Sequence, residues 1–226
     1  MKKLFEKTGI EINEKQLFCF EKYYELLTEY NNKFNITAIT EKKEVYIKNF
    51  IDSIIFSNLI TGKTHIDIGS GGGFPAIPLK IIKPELKLTL LEATGKKCEF
   101  LNALIESLNL TDVKVVNGRA EEYANQRLFR ENFDICTARA VARLNILTEY
   151  CLPFVKVGGI FIAYKAQAEQ EIQEAENAIK TLGGKIKQIK TVDLMGNTRT
   201  AVVIEKVSKT EEKYPRTNAQ IRKNPL

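Results

Sequence analysis

Apolar residues recur every three or four positions in the first part of the chain, which is the spacing of a helix with one buried face. Asn13 and Gln16 precede this pattern at the three-residue spacing of a capping box. A second pattern of the same kind follows Thr40. The apolar positions of the two patterns are Leu17, Phe20, Tyr24, Leu27, Tyr30 and Phe34, then Val45, Ile47, Phe50, Ile51, Ile54 and Ile55. Residues 1–62 are therefore predicted to form a helical region packed on a core.

From Thr64 the chain alternates between short runs rich in β-branched residues and amphipathic helical patterns. The runs read "HIDIG", "LKLTLLE", "VKVVNG", "FDICTAR" and "GGIFIAYK", and helical segments such as "GKKCEFLNALIESLNL" separate them. Alternation of this kind predicts a parallel sheet with helices on both faces.

The last two strand-like runs have no helix between them. After a polar helix from about Gln167 to Leu182, "KIKQIKTVDL" and "TAVVIEKV" are joined only by "MGNTR", so they are predicted to pair antiparallel. The sequence thus predicts an α/β fold with a Rossmann-like sheet of the class I methyltransferase kind. That sheet is mostly parallel, has an antiparallel last strand, and is preceded by N-terminal helices.

The composition is that of a globular protein, with 44% hydrophobic and 27% charged residues among 226. No apolar run approaches the roughly 20 residues of a membrane helix, and no apolar segment follows Lys2 and Lys3 as in a secretory signal. We therefore expect a cytoplasmic protein without membrane contact. The four cysteines are widely separated and His65 is the only histidine, so we expect no metal site and a packing role for His65.

The net charge of +6 is concentrated near the C-terminus. Six basic and two acidic residues lie between Lys206 and Leu226. A solvated tail and an arm that holds nucleic-acid phosphates are both consistent with this run of charge.

The stretch "DIGSGGGFPAIPLKI" predicts a ligand site. Gly69, Gly71 and Gly73 lie where the first strand turns into the first helix, which is where open α/β sheets bind ligands, and glycine there lets a ligand touch the backbone. Glu92, about 20 positions beyond Gly69 at the end of the second strand, is predicted to accept the hydroxyls of a ribose. Asp67 is expected either to bind loop amides or to approach a methionine amino group. A tight turn without a ligand is the alternative.

Two prolines indicate which cofactor the turn would take. A pyrophosphate needs N–H groups at a helix N-terminus, and Pro75 and Pro78 remove two of them. S-adenosylmethionine carries no phosphate, so it loses nothing by their absence. Because Phe74 also stands where the strict dinucleotide motif has its last glycine, the loop favours S-adenosylmethionine over NAD.

Arginines at strand ends are the candidate substrate ligands. The segment after the fourth strand lacks the proline-rich loop used to methylate exocyclic amines, and Cys136 in an apolar strand does not look like a nucleophile. An acceptor with an exposed lone pair, such as guanine N7, remains attractive. Arg119, Arg139 and Arg199 are placed to hold phosphates and guanine O6, although each could instead be an ordinary ion-pair arginine.

Several motifs in fixed order resemble one family, the bacterial small-subunit rRNA guanine-N(7) methyltransferases historically called glucose-inhibited division protein B. The motifs are "NNKFNITAIT", "IDSI", "DIGSGGGFPAIPLKI", "LLEATGKKCEFL", "GRAEE", "FDICTARAVARL", "GGIFIAYKA", "RTAVVIEK" and "KYPRTNAQIRKNPL", and they cover nearly the whole chain. The resemblance implies methyl transfer from S-adenosylmethionine to the guanine at nucleotide 527 of 16S rRNA, with that rRNA or the small ribosomal subunit as partner.

The resemblance also implies roles for individual residues. Gly69 and Phe74 would line the cofactor, Ala120 and Glu121 would hold its adenine end, and Arg139 would close the site. Arg119, Arg139 and Arg199 would face the RNA or the reacting base.

The chain departs from the family pattern at a few positions. Asn49 replaces the histidine usual before "DS", Ala76 and Ala166 replace glycines, and Ala219 and Ile221 replace glycine and proline. On this reading residues 63–207 form an S-adenosylmethionine-dependent methyltransferase domain and residues 208–226 a basic C-terminal tail. A small-molecule or other RNA methyltransferase, a non-enzymatic RNA-binding module and an NAD enzyme are the alternatives.

Overall fold

A computed structural model describes all residues, 1–226, and contains ten α-helices, one π-helical turn, two 3₁₀ turns and one sheet. The α-helices are α1 (Lys2–Glu6), α2 (Glu14–Asn31), α3 (Lys42–Val45), α4 (Asp52–Ile54), α5 (Ala76–Ile82), α6 (Gly95–Ser107), α7 (Ala120–Tyr123), α8 (Leu144–Cys151), α9 (Glu169–Thr181) and α10 (Asn218–Lys223). The strands are β1 (Thr64–Ile68), β2 (Lys87–Glu92), β3 (Val113–Asn117), β4 (Phe133–Arg139), β5 (Val155–Lys165), β6 (Gly184–Leu194) and β7 (Asn197–Lys206). None of the helices combines the length and the hydrophobicity that a membrane span requires.

The seven strands form one sheet in the order β3-β2-β1-β4-β5-β7-β6. The first five strands run parallel, and β7 lies antiparallel between β5 and β6. The predicted fold class is therefore confirmed. Because the strand order reverses between β1 and β4, the crevice beyond their carboxyl ends is where this architecture binds ligands.

The N-terminal helices pack on one face of the sheet. The predicted capping box of α2 is present: the Asn13 side chain accepts from Gln16 N at 2.9 Å, and the Gln16 side chain accepts from Asn13 N at 2.9 Å. Phe20, Tyr23 and Phe50 are buried in the same cluster as residues of β2, α5 and α6. The helical region and the sheet thus share one continuous core.

The second predicted helix contains an irregular turn. Between α3 and α4, residues Tyr46–Ile51 are π-helical, a wider turn that occurs frequently at functional sites. Asn49 lies in this turn and Asp52 directly follows it, and both are buried. The periodicity of the apolar residues predicted the helix but not its local widening.

The C-terminal segment folds back onto the opposite face. Tyr214 is nearly buried and Ile221 is fully buried, both within the second apolar cluster. Arg216 pairs with the buried carboxylate of Glu149 at 2.6 Å, and the Lys206 side chain is completely buried. Neither a free solvated tail nor an arm with all its charges available to phosphates describes this segment, because packing and internal ion pairs engage part of its basic residues.

Candidate active site

The glycine loop joins β1 to α5 in a conformation that requires glycine. Gly69, Gly71 and Gly73 have φ values of +68°, +55° and +89°, which side chains rarely tolerate. A Cβ atom on Gly73 would lie 2.6 Å from the Tyr23 hydroxyl oxygen and 2.9 Å from Ile77. The predicted tight turn is therefore present, with backbone packed directly against α2 and α5.

Hydrogen bonds within the protein use most of the loop's N–H groups. The amides of Gly69 and Ser70 donate to Leu91 O, and those of Gly73 and Phe74 donate to Ser70 O. The Gly71 amide donates to Glu92 Oε2 at 2.8 Å, and Pro75 has no N–H. A pyrophosphate would find few free donors here, so the loop fits a cofactor without phosphate, in agreement with the argument from the prolines.

Glu92 stabilises the loop from the end of β2. Its second oxygen, Oε1, accepts from Thr94 N at 2.9 Å, and the residue is only 6% exposed. Each carboxylate oxygen has a second lone pair, so these bonds leave acceptor capacity. A ribose contact by Glu92 therefore stays a prediction.

A cavity of about 120 Å³ lies beside the loop at the strand ends. It brings together four of the predicted site residues, and its other walls come from β2, the segment after β4, α8 and α10. The lining residues are Ile68, Gly69, Leu91, Ala93, Gly118, Arg119, Ala120, Glu121, Val141, Tyr150, Asn218 and Arg222. We call this space the loop cavity.

Phe74 lies outside the lining of the loop cavity. Its ring stacks on Tyr23, with centroids 5.4 Å apart and an interplanar angle of 7°, and the Arg139 guanidinium lies 5.1 Å from its centroid. The structure thus gives Phe74 a packing role that links α2 to Arg139. A direct cofactor contact by Phe74 stays a prediction.

Asp67 does not bind the loop amides, so that part of its predicted role is wrong. Its Oδ1 accepts from the Thr137 hydroxyl at 2.5 Å, and that hydroxyl also lies 2.8 Å from His65 Nε2. Burial raises the pKa of Asp67 to about 7 and lowers the pKa of His65 to about 3. Because the sheet encloses all three side chains, the predicted packing role of His65 is confirmed. A cofactor contact by Asp67 stays a prediction.

A second cavity, of about 370 Å³, contains two of the three predicted arginines. It is lined by Ile39, Lys48, Asn49, Asp52, Phe56, Arg139, Ala140, Tyr164, Lys165, Ala166 and Arg199. We call it the arginine cavity. Arg119 is not among these residues and is exposed at the loop cavity instead, so the predicted set of arginines is divided between two sites.

Asp52 bridges the two arginines. Its Oδ2 accepts from Arg139 Nη1 at 3.1 Å, and its Oδ1 accepts from Arg199 Nε at 2.9 Å. Arg139 also donates to Asn49 Oδ1 at 2.9 Å and to Lys48 O at 3.0 Å. Both ends of the Asp52 carboxylate are therefore occupied, and the two guanidinium groups are held side by side.

The arginine cavity carries a net positive charge. Lys48 and Lys165 are neutralised by Glu44 and Glu171, whereas two arginines share the single carboxylate of Asp52. Burial raises the pKa of Asp52 against the opposing effect of both guanidinium groups, and burial lowers the pKa of Arg139. Nη2 of Arg199 makes no hydrogen bond within the protein, so it is free to donate to an anionic or carbonyl group in the cavity.

The end of β4 and the segment after it contribute to both cavities. Arg139 and Ala140 line the arginine cavity, whereas Val141 lines the loop cavity. Ala140 has a φ of +57°, a strained backbone conformation of the kind that persists at functional sites. Ligands bound in the two cavities would therefore contact the same segment of three consecutive residues.

Sequence reasoning missed several residues that line these cavities. Asp52 lay within the quoted "IDSI" motif and Asn49 just before it, but neither received a role, because the pairing of Asp52 with arginines from β4 and β7 joins distant parts of the chain. Asn218 and Arg222 were missed because nothing in the local sequence indicates that α10 returns to the glycine loop. Tyr150 of α8 was missed because its hydroxyl bonds to Asn218, which is distant in sequence.

Known proteins resemble this chain over nearly its whole length. A family model described as rRNA small subunit methyltransferase G (GidB) matches residues 16–201. Two relatives named ribosomal RNA small subunit methyltransferase G are 48% and 45% identical: the one from Lactococcus lactis aligns with 96% of this chain and 94% of its own, and the one from Lactobacillus johnsonii with 97% and 95%.

Solved structures resemble the fold at low sequence identity. M. jannaschii TYW2 in complex with AdoMet has a TM-score of 0.56 at 15% identity, covering 70% of this chain and 76% of its own. A methyltransferase from Pyrococcus furiosus has a TM-score of 0.56 at 17% identity, covering 70% and 83%.

Proposed function

Because the chain belongs to the rRNA small subunit methyltransferase G family, and is thus an S-adenosylmethionine-dependent rRNA methyltransferase, we propose that it methylates N7 of the guanine at nucleotide 527 of 16S rRNA. The observation that carries this proposal is that consecutive residues, 139–141, contribute to the lining of both cavities. One cavity lies beside a glycine loop that suits a cofactor without phosphate. The other cavity contains arginines that can bind a nucleotide. Action on 16S rRNA or the small ribosomal subunit in the cytoplasm is part of the same proposal.

The loop cavity would hold the cofactor. Gly69, Ala120 and Glu121 line this cavity, and Glu92 ends the adjoining strand β2. In this proposal Gly69 would present bare backbone to the cofactor, and Ala120 and Glu121 would hold its adenosine end. When bound, S-adenosylmethionine supplies a methyl group on a positively charged sulfur. The low number of free loop amides suits such a ligand, because no phosphate needs to be bound.

The arginine cavity would hold the guanine. Guanine N7 carries a free lone pair, so no side chain has to remove a proton before the methyl group is transferred. What the residues must supply is orientation, which can be worth up to about 7–11 kcal/mol of a barrier. Arg139 and Arg199 offer the donors that pair with guanine O6 or a flanking phosphate.

Asp52 would act as a positioning residue in this cavity. It touches both guanidinium groups and so fixes their spacing before RNA arrives. It also offsets one of two positive charges that would otherwise repel each other in a largely buried site. The remaining excess charge favours an anionic partner such as a phosphate.

Mass mapping of 16S rRNA tests the proposal directly. Digested 16S rRNA from cells with the gene should contain one methyl group at the guanine of position 527, and rRNA from a deletion strain should lack it. Complementation with the intact gene should restore the methyl group, whereas complementation with Arg199→Ala should restore little. If 16S rRNA from the deletion strain still carries the methyl group at this guanine, the proposal is overturned.

A further inference from the structure

The C-terminal helix α10 supplies one wall of the loop cavity. Asn218 and Arg222 of α10 line it together with Tyr150 of α8, and Ala120 and Glu121 also line it. We propose that Tyr150, Asn218 and Arg222 recognise the adenine ring of S-adenosylmethionine, which makes the C-terminal segment part of the cofactor site. This inference rests on the proposed function, because it requires the cofactor to occupy the loop cavity.

The position of α10 is fixed by contacts outside the cavity. Within α10, the side chain of Ile221 is fully buried. A capping box between Thr217 and Gln220 closes the first turn of the helix. Just before the helix, Arg216 donates from Nε and Nη2 to the buried carboxylate of Glu149 at 2.9 and 2.6 Å. Arg130 donates to Tyr214 O at 2.8 Å. The helix therefore presents its cavity side chains from a rigid support.

The hydrogen bonds of Asn218 set the direction of its amide. The Tyr150 hydroxyl and Arg222 Nε, the latter at 3.1 Å, both donate to Asn218 Oδ1. Because the Nε of an arginine can only donate, the oxygen and nitrogen of this amide cannot be exchanged. The Asn218 Nδ2 group has no partner within the protein, so it remains a free donor on a residue that lines the cavity.

A free donor and a free acceptor in the lining of one cavity match the donor and acceptor pattern along the edge of adenine. Adenine presents an acceptor at N1 beside a donor at its exocyclic amine, whereas hypoxanthine presents a donor at N1 beside an acceptor at O6. The Glu121 side chain makes no hydrogen bond within the protein, and its carboxylate can only accept. Asn218 Nδ2 to N1 and Glu121 to the amine would therefore favour adenine and reject hypoxanthine.

The charge of Glu121 also reaches Tyr150. Burial raises the pKa of Tyr150, a contact with Arg222 lowers it, and the negative charge of Glu121 adds to the rise. The Tyr150 hydroxyl therefore keeps its proton and continues to donate to Asn218. Glu121 and Tyr150 both line the loop cavity, so one small ligand there can contact both.

Calorimetric titration of the full chain with S-adenosylhomocysteine and S-inosylhomocysteine tests the proposal. We expect the wild type to bind the adenine compound more tightly. Asn218→Ala should weaken the binding of S-adenosylhomocysteine about 2- to 10-fold, the range expected for one neutral hydrogen bond. The ratio of its affinity to that of S-inosylhomocysteine should also become smaller. Tyr150→Phe should have a smaller effect in the same direction, because it only releases the amide. Lys223→Ala is the matched control, since Lys223 is exposed on the same helix and does not line the cavity.

The outcomes separate this inference from the proposed function. If the wild type fails to bind S-adenosylhomocysteine, the proposed function fails and this inference fails with it. A different result is that the wild type binds S-adenosylhomocysteine, but Asn218→Ala leaves its affinities for the adenine and inosyl compounds unchanged or lowers both by the same factor. In that case α10 does not recognise the adenine edge, and the proposed function stands. A thermal melt of each variant shows whether it is folded, and Tyr150→Phe provides a second test should Asn218→Ala not fold.

Discussion

At the scale of single residues, Asp52 shows how one side chain organises a site made from distant segments. It follows the π-helical turn and joins an arginine at the end of β4 to an arginine near the start of β7. Both guanidinium groups are largely buried, with side-chain exposures of 17% and 18%. Two buried positive charges of this kind stay adjacent only while a shared carboxylate lies between them.

Asp52→Asn should therefore impair methylation more than cofactor binding. Asparagine keeps the shape of the side chain but carries no negative charge to hold the two guanidinium groups. We therefore expect the rate of methyl transfer to 16S rRNA to fall at least about tenfold, which corresponds to roughly 1.4 kcal/mol in the activation free energy. Affinity for S-adenosylhomocysteine should change less than twofold. Glu205→Gln, which removes the half-buried carboxylate paired with the exposed Lys187, is the control and should methylate normally. Equal losses in methylation and cofactor affinity would argue against a substrate-side role for Asp52.

Asp67 should make stability depend on pH. Its folded-state pKa is raised by burial to about 7, above the value near 3.9 of an unfolded chain. The folded protein therefore holds a proton that the unfolded chain releases, so this contribution to stability falls as pH rises from about 4 to 7 and is constant above that range. Asp67→Asn removes the group that titrates. The free energy of unfolding of this variant, relative to that of the wild type, should therefore rise by up to about 1.4 kcal/mol per pH unit between pH 5 and 7.

Urea unfolding at several pH values measures this difference. Asp112→Asn changes an exposed carboxylate and should give a curve parallel to that of the wild type. Parallel curves for Asp67→Asn as well would mean that Asp67 is already ionised in the folded protein at pH 5.

At the scale of elements, the glycine loop is shaped by what packs against it. Gly73 and Gly196 have similar φ values of +89° and +83°, but a Cβ at Gly73 would overlap Tyr23 and Ile77, whereas one at Gly196 would meet nothing within 4 Å. The two positions therefore share a backbone requirement and differ in available space.

Gly73→Ala should destabilise the protein more than Gly196→Ala. Both substitutions place a side chain in the left-handed region at a cost of about 1–2 kcal/mol, and Gly73→Ala adds overpacking of about 1–3 kcal/mol. Chemical denaturation of the two variants gives the difference directly. Equal destabilisation would show that Tyr23 and Ile77 move aside without cost.

Elements with local signals were predictable, and elements fixed by packing were not. The capping box of α2, the strands and the positive-φ glycines depend on nearby residues, and the structure has them where the sequence predicted. The π-helical turn depends on packing around Tyr46–Ile51, and the return of α10 depends on Glu149 and Arg130 far away in sequence. For the same reason, the role of Asp52 and the separation of Arg119 from the other two arginines could not be read from spacing along the chain.

At the scale of the whole molecule, a net charge of +6 and a positively charged arginine cavity should attract RNA. Part of the C-terminal charge is engaged internally, as for Arg216 and Lys206, so it contributes little to phosphate contacts. The charge available to RNA is therefore smaller than the sequence suggests, and it includes the surface around the arginine cavity.

RNA binding should consequently weaken with salt while cofactor binding does not. Each phosphate contact adds roughly 0.7–0.9 to the slope of log affinity against log salt concentration. S-adenosylhomocysteine carries no phosphate, so its affinity should stay nearly constant. Filter binding of a 16S rRNA fragment at several salt concentrations, beside calorimetry with S-adenosylhomocysteine, measures both slopes. A flat RNA slope would mean that phosphates contribute little to binding.

The internal hydrogen bonds of the glycine loop have a consequence for how the ligand is received. Because the amides of Gly69, Ser70, Gly71, Gly73 and Phe74 are all bonded within the protein, the loop holds its shape before any ligand arrives. Binding then loses little conformational entropy in this segment, since the backbone has already been ordered by folding. The same amides are shielded from solvent exchange by the fold itself, so their protection reports the integrity of the sheet rather than the occupancy of the cavity.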